Sequence, residues 1–158
     1  MPDYGFRPVT RADLPMLAEW LATGQVALWW LDPEHQRVLV VEDLDNPAMR
    51  QLIVLHDDTP IAYAQHYPAH EWPAPHFADL PQDAIAIDVF SGPAGMGHGG
   101  AWLRLLGDRL LQQAPLLVID PDPGNLRAIR ACEKAGFSGH EIRPDGEGQP
   151  CRILTRRR

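Results

Sequence analysis

Residues 94–102, AGMGHGGAW, carry four glycines within six positions, just before a segment with a helical pattern. Gly95, Gly97 and Gly100 fit the spacing G-x-G-x-x-G. Glycines let a backbone approach a ligand closely, and the N–H groups at a helix start bind phosphate and pyrophosphate. The spacing therefore predicts a loop at residues 95–100 whose backbone groups bind an anion.

Two common kinds of phosphate-binding loop, the P-loop and the dinucleotide-binding loop, fit this sequence poorly. A P-loop requires G-K-[ST], and this loop contains no lysine. A dinucleotide-binding fold places an acid about 20 residues beyond its glycines. Asp120 fits that spacing, but only 38 residues follow it, and they fit one helix and one hairpin rather than the further units of a doubly wound sheet. A bare structural turn needs fewer glycines, so another pyrophosphate ligand is favoured.

Asp88 lies within the apolar stretch AIAIDVF, residues 84–90. An ionised acid that is buried without a partner is costly, so a functional role would explain its position. A carboxylate there can bind an ammonium group and act as a general base. The alternative is a residue on the outward face of a strand, which strand alternation tolerates.

The composition predicts a single globular domain over residues 1–158. Hydrophobic residues make up 45% and charged residues 22% of the chain, and the net charge is −7. The acidic balance argues against nucleic acid and fits a cationic partner. The chain shows no membrane-length apolar run, no signal-peptide pattern and no disulfide framework. We therefore expect a cytoplasmic monomer or homodimer with no membrane or nucleic-acid partner.

The segment YPAHEWPAPHFADLPQD, residues 67–83, contains four prolines and is predicted to be irregular. His70 and His76 within it, and His66 just before it, have no spacing typical of a metal site. We therefore expect no bound metal.

The remaining chain alternates between strand and helix patterns, which predicts an α/β fold. The predicted elements are a strand at 4–9, a helix over 11–22 capped by Thr10, one short helix with loops within 24–49, a hairpin of 50–56 and 61–67, a strand at 84–90, a helix over 99–113, a strand at 115–120, a helix over 125–135 stopped by Gly136, and a terminal hairpin of 139–143 and 149–155. Strand, helix and strand in succession over 84–120 imply a parallel pair in a mixed sheet.

The stretch DPDPGNLRAIRACEKAGF, residues 120–137, resembles the acetyl-CoA-binding segment of the GNAT-family N-acetyltransferases, whose pattern is N-x-x-A-x-x-x-Y-x-K-x-G-F. The positions that match are Asn125, Ala128, Lys134, Gly136 and Phe137. Gly97 and Gly99 fit the family's R/Q-x-x-G-x-G/A signature, with Ala94 where Arg or Gln is usual.

This resemblance implies a single-domain GNAT fold, a twisted mixed sheet whose fourth and fifth strands splay apart around the pantetheine arm of acetyl-CoA. It implies that the glycine loop faces the pyrophosphate of the cofactor. The implied cofactor-binding residues are Val89, Phe90, Gly95, Gly97, His98, Gly99, Gly100, Asn125 and Lys134. Asn125 also fits a plain helix N-cap, and Lys134 a solvated helix-end charge.

Within that family, three stretches are similar to the aminoglycoside 6′-N-acetyltransferases: IAYAQHY (61–67), AIDVF (86–90) and IDPDPGNLRAIRACEKAGF (119–137). The stretches RPDG (143–146) and LWWLDPE (28–34) continue the similarity. The similarity implies that Asp88 is the acid beside the reacting amine and that Asp120 lines the acceptor cleft. It also implies an aromatic and polar wall for a cationic sugar, formed by Trp29, Trp30, Tyr63, Gln65 and Tyr67. A tryptophan pair also fits core packing.

The resemblance implies direct acetyl transfer in a ternary complex, with the N–H of Val89 or Phe90 holding the thioester oxygen as charge develops. Cys132 stands where the family usually has a tyrosine that protonates the leaving thiolate. Three readings stay open for Cys132: an inert helix residue, a short-reach acid, or the mark of a protein that only binds. The acceptor also stays open between an aminoglycoside, another polyamine and a peptide N-terminus, and a non-catalytic acyl-CoA or dinucleotide-binding module remains an alternative.

Overall fold

The computed structural model describes residues 3–158, and within them eight strands and five α-helices are numbered in chain order. The elements are β1 Tyr4–Pro8, α1 Leu14–Ala22, α2 Gly24–Ala27, α3 Pro33–Asp43, β2 Arg50–His56, β3 Thr59–Pro68, β4 Ile85–Ser91, α4 Gly99–Leu110, β5 Leu116–Ile119, α5 Leu126–Lys134, β6 Ile142–Pro144, β7 Pro150–Arg152 and β8 Leu154–Arg157. Single-turn 3-10 helices occupy Arg11–Asp13, Pro75–Phe77 and Pro93–Gly95. No helix among these residues is both long and apolar enough to cross a membrane.

Six strands form one sheet in the order β1-β2-β3-β4-β5-β8, and β6 pairs with β7 separately. β4 and β5 are parallel, with Ile85 opposite Leu117 and Ala86 opposite Val118. The pairs β1–β2 and β5–β8 are antiparallel. The predicted mixed sheet with a parallel pair is therefore confirmed. Because β4 continues to Ser91 after two paired residues, the parallel strands part early, as a splayed pair requires.

The chain forms two compact units. The first contains the chain up to Gln65 together with Val89–Met96, and the second contains His66–Asp88 and Gly97–Arg158. Strands β3 and β4 each have residues in both units, so the chain passes from one unit to the other within a strand.

A part-buried ion pair fixes the start of α1 in the first unit. Arg7 donates to both carboxylate oxygens of Asp13 at 2.7 and 2.8 Å, and Asp13 also accepts the backbone N–H of Thr10 at 2.8 Å. The guanidinium lowers the pKa of Asp13 below its usual range. Thr10 thus precedes the helix as predicted, but Arg11–Asp13 is a 3-10 turn and α1 begins at Leu14.

The prediction of one short helix within residues 24–49 was wrong, because two helices, α2 and α3, lie there. Asp32 caps α3 from a left-handed conformation with a φ of 57°, accepting the N–H of His35 at 3.3 Å. Pro33 occupies the first helical position, where its fixed φ fits and no N–H is needed. The core of the first unit contains Val9, Leu17, Trp20, Leu21, Val26, Val40, Ile53, Tyr63 and Phe90.

The proline-rich segment of the second unit is mostly irregular, as predicted, but it contains a 3-10 turn at Pro75–Phe77. Both His76 and Phe77 are buried by this turn. The segment is anchored where the N–H of Ala69 donates to the carbonyl of Ala84 at 2.9 Å. The core of the second unit contains Ala69, Phe77, Ala84, Ala86, Leu116, Val118, Cys151 and Ile153.

The predicted terminal hairpin is present as β6 and β7, but it is shorter than expected. The chain then turns into a separate strand, β8, which pairs with β5 from Leu154 opposite Ile119 to Arg157 opposite Leu116. Arg156 forms an ion pair with Asp108 of α4, so part of the basic tail is held within the fold.

Candidate functional site

The glycines at the start of α4 have two different surroundings. Gly97 has a φ of +90°, which side chains rarely adopt, and an added Cβ would meet nothing within 4 Å in residues 3–158. Gly100 is buried, and an added Cβ would lie 2.8 Å from the Cβ of Lys134. Gly97 therefore shapes a loop that borders open space, whereas Gly100 lets α5 pack closely against α4.

Arg104 strengthens the contact between α4 and α5. Its Nε and Nη2 donate to the carbonyl of Lys134 at 3.0 and 2.6 Å. Lys134, the chain's single lysine, is exposed at the end of α5. The backbone of this residue is thus fixed beside the first turn of α4, where N–H groups have no partner one turn earlier in the helix.

Gly95, in the first unit, fits against β3. An added Cβ would stand 2.1 Å from the carbonyl oxygen of Ile61, and the N–H of Gly92 donates to that same oxygen at 2.8 Å. A glycine is therefore needed at residue 95 for packing within the chain, whatever else the loop binds.

Asn125 caps α5, since its Oδ1 accepts the N–H of Ala128 at 3.3 Å. The plain N-cap interpretation of Asn125 is thus satisfied by the structure. Its half-buried side chain keeps an amide nitrogen, a donor that the cap does not use.

Asp88 is half-buried near the middle of β4. It follows Ala86, the last residue of β4 paired with β5, by two positions. Residues two apart share one face of a strand, so Asp88 lies on the face of Ala86 and beyond the point where the parallel strands part. The carboxylate of Asp88 is therefore held by a strand at a position outside the paired register of β4 and β5.

A hydrogen-bonded network supports the polar residues of the first unit. Tyr63 has no exposed surface, and its hydroxyl lies 2.6 Å from Oε1 of Gln51 and 2.7 Å from Oε1 of Gln65. The Tyr63 ring stacks on Phe90, and Phe90 forms a T-shaped contact with Trp30. Tyr63 therefore supports Gln65 and the core, while Gln65, like Trp29 and Trp30, keeps a partly exposed side chain.

His76 and Asp120, 44 residues apart in the chain, meet in the second unit. His76 Nε2 lies 2.8 Å from Asp120 Oδ2. His76 is 8% exposed, and its Nδ1 is buried with no hydrogen-bond partner among the described residues. Cys151 lies close by, donating its thiol to the carbonyl of Arg143 at 3.2 Å, and burial raises the pKa of this thiol to about 12.

Cys132 is a buried residue of α5 with 2% exposure. Burial, with the charge of Glu133 as a lesser cause, raises the pKa of its thiol to about 12. The thiol therefore remains protonated at neutral pH. A general acid works best with a pKa near the operating pH, so these surroundings favour the inert reading.

The proline-rich segment forms an open, shallow depression of about 560 Å³ in the second unit, lined by residues 70–75 and Ala78. Trp72, 39% exposed, meets the ring of Tyr67 edge-on at a centroid distance of 5.2 Å. The sequence indicated Tyr67 but not Trp72. Trp72 could have been predicted, because it is a tryptophan next to an acid, Glu71, within an otherwise irregular segment.

The structure thus brings together two sets of the predicted residues. Tyr63, Gln65, Trp30 and Phe90 are joined by contacts in the first unit. Gly100 and Lys134 meet in the second. Three residues in these networks were not predicted to belong to the site. Gln51 contacts Tyr63, and His76 and Cys151 lie beside Asp120.

A family model described as an acetyltransferase (GNAT) domain matches residues 9–143. The chain therefore belongs to the GNAT acetyltransferase family, and the predicted fold and enzyme class, an N-acetyltransferase, are confirmed.

Several proteins to which the chain is similar are named for a particular acceptor within this family. The type 1 aminoglycoside N(6′)-acetyltransferases of Klebsiella pneumoniae and Serratia marcescens are each 33% identical over a 155-residue alignment that covers 89% of this chain and 77% of theirs. The structure of AAC(6′)-Ib with paromomycin and acetyl-CoA has a TM-score of 0.84 at 27% identity, covering 99% of this chain and 94% of that chain. The same enzyme with coenzyme A and kanamycin gives 0.83 at 28% identity, covering 99% of this chain and 95% of that chain.

Proposed function

We propose that this chain transfers the acetyl group of acetyl-CoA to the 6′-amine of an aminoglycoside. The observation that carries the proposal is the similarity to aminoglycoside N(6′)-acetyltransferases along nearly the whole chain, at 33% identity. A net charge of −7 supports a cationic acceptor. We further propose that residues 1–158 form one catalytic domain, which acts in the cytoplasm as a monomer or homodimer without a nucleic-acid or membrane partner.

In this proposal the cofactor's pyrophosphate binds to the loop before α4. Gly97, His98 and Gly99 present backbone N–H groups at the start of a twelve-residue helix whose dipole favours negative charge. Gly95 and Gly100 hold the ends of the loop by close packing. Asn125 contributes its amide nitrogen to the pantetheine portion, and Lys134 adds positive charge.

In this proposal Asp88 is the general base that removes a proton from the acceptor's ammonium group. Its carboxylate accepts a proton from the bound ammonium, and the freed amine nitrogen attacks the thioester carbonyl carbon. Backbone N–H groups of Val89 or Phe90 stabilise the oxygen as it becomes negative. As the carbon–sulfur bond breaks, the attacking nitrogen loses a second proton to water and an amide remains on the acceptor. Coenzyme A leaves as a thiolate that takes a proton from water, so the reaction releases one proton net, the one that Asp88 accepted.

We propose acceptor-binding side chains in each of the two units, taken separately. In the first unit, Trp29, Trp30 and Gln65 offer flat apolar surface and a polar group, and Tyr63 holds Gln65 in place. In the second unit, Tyr67 and Asp120 add an aromatic ring and a carboxylate. Aromatic faces next to acids suit an amino sugar with several positive charges.

The test is release of the coenzyme A thiol with a panel of amines. A kanamycin-type aminoglycoside is compared with a matched aminoglycoside that carries a hydroxyl at the 6′ position, and mass spectrometry locates the added acetyl group. We expect turnover only with the 6′-amine.

Two other results would change the acceptor or the class. Turnover with a polyamine or a free peptide N-terminus, and none with aminoglycosides, would replace the acceptor. Binding of acetyl-CoA without turnover on any amine would indicate the non-catalytic module.

A further inference from the structure

We propose that the second unit contains a binding site for a zinc-class divalent metal ion, formed by His76, Asp120 and Cys151. His76 lies in a 3-10 turn, Asp120 directly follows β5, and Cys151 lies in β7. One donor atom from each, a ring nitrogen, a carboxylate oxygen and a sulfur, lie within 4.8 Å of one another. Nothing in the activity proposed above requires this combination of side chains.

The donor set and its spacing fit the coordination chemistry of zinc. Zn²⁺ binds nitrogen and oxygen at about 2.0–2.2 Å and sulfur at about 2.3 Å, so a tetrahedral site separates its donors by about 3.3–3.6 Å. His76 Nε2 and Asp120 Oδ2 are 2.8 Å apart, and the other separations reach at most 4.8 Å. Side-chain shifts of about an ångström therefore suffice. Three protein ligands leave a fourth position for water.

The burial of the cluster also favours a ligand. His76 and Cys151 are 8% and 5% exposed, while the side chain of Asp120 is 21% exposed and provides access from solvent. A site that is largely buried keeps its donor atoms away from bulk water, and the partly exposed carboxylate leaves an entry path for the ion.

The competing explanation is a hydrogen bond without metal. His76 can simply donate to Asp120, and the Cys151 thiol already has a partner in the carbonyl of Arg143. The two explanations differ at the sulfur. A metal requires the thiolate of Cys151, whereas the hydrogen bond between His76 and Asp120 does not involve Cys151 at all.

Metal binding would also affect the acceptor, and this consequence rests on the proposed function. A metal on Asp120 would occupy a carboxylate that is proposed to face the cationic acceptor. Metal binding itself is therefore measured without acceptor or cofactor, so that its failure and the failure of the proposed function are distinguishable.

The experiment titrates the chelator-treated full chain with Co²⁺, whose thiolate complexes absorb strongly, and then displaces the cobalt with Zn²⁺. We expect one ion per chain and a thiolate–cobalt band. Cys151→Ser should abolish the band and weaken binding at least about 100-fold, since even outer partners of a ligand contribute 10–100-fold. His76→Gln should weaken binding similarly. Cys132→Ala, which removes the other buried thiol, should leave band and affinity unchanged.

Two outcomes would overturn the site. One is the absence of a thiolate–cobalt band in the parent chain. The other is a band that survives Cys151→Ser or disappears with Cys132→Ala. Circular dichroism and melting temperature confirm that each variant folds, and if Cys151→Ser does not fold, His76→Gln and Asp120→Asn provide the test.

Discussion

Asp88 is the residue on which the proposed chemistry depends most directly. Asp88→Asn keeps the shape of the side chain but removes the charge that binds the ammonium and accepts its proton. We expect turnover to fall about 10²–10⁴-fold, the range for loss of a general base. Steady-state rates with the accepted amine, and acetyl-CoA binding by calorimetry, check this, and binding should change little.

Asp45→Asn is the matched control for Asp88, because the Asp45 side chain is 83% exposed and forms an ion pair with the exposed Arg11 at 3.4 Å. It should keep parental turnover. If Asp88→Asn also keeps it, Asp88 has a structural role only.

Cys132 offers a second test at this scale. Because its buried thiol has a pKa of about 12, it is protonated but a weak acid at neutral pH. Cys132→Ala should therefore keep activity within a few-fold of the parent, as measured by kcat. A loss of 10²-fold or more would instead establish the acid role.

Asp13 contributes to stability through a pKa shift whose sign can be worked out. Its pKa is lowered by Arg7, so the ionised form stabilises the fold above the unfolded value of about 3.9, and this contribution is lost as pH falls through the folded value. Asp13→Asn should lower the free energy of unfolding by about 2–3 kcal/mol at pH 7. The difference from the parent should shrink in acid. Urea unfolding at pH 7 and pH 3 measures both, and an equal difference at the two pH values would contradict the assignment.

At the scale of elements, the contact of α4 with α5 depends on Gly100. Gly100→Ala places a Cβ 2.8 Å from the Cβ of Lys134, so the helices must shift apart. We expect a loss of about 1–3 kcal/mol, the usual cost of overpacking, measured by thermal or urea unfolding.

Gly24→Ala is the matched control for Gly100→Ala, since its added Cβ meets nothing within 4 Å in the described chain and its φ is not positive. It should be neutral or stabilising by up to about 1 kcal/mol. Equal effects of the two changes would show that backbone entropy, not packing, decides the result.

Some elements could be predicted from the sequence because their signal is local. The apolar runs of β4 and β5, with a helical pattern between them, fixed the parallel pair. One helix rather than two was predicted within residues 24–49, because α3 starts from a left-handed Asp32 and has exposed apolar residues, Val38 and Leu39, that obscure its periodicity. β8 was merged into a hairpin, because pairing with β5 depends on tertiary contacts such as Arg156 with Asp108.

The candidate site could be predicted only in part, because some of its contacts are local in the chain and others form only in the tertiary structure. Gly97 and Asn125 are marked by turn and cap chemistry that acts over a few residues. The contact of His76 with Asp120 joins positions 44 residues apart. Neither the composition of the chain nor its hydrophobic periodicity predicts a contact between residues so far apart.

For the whole molecule, the proposed cofactor can be tested through stability. Acetyl-CoA should raise the melting temperature, because a ligand at 100 times its Kd adds about 2.7 kcal/mol to a domain that binds it only when folded. NAD at the same concentration should not. Differential scanning fluorimetry measures both, and stabilisation by NAD alone would revive a dinucleotide site.

Lys134 gives the molecule an unusual chemical property. An enzyme class that acylates amines is represented here by a chain with a single side-chain amine, exposed at the end of α5 and fixed beside the first turn of α4. Amine-reactive esters therefore have one lysine to label. A fluorophore coupled there stands next to the glycine loop, without any engineered cysteine or removal of competing lysines.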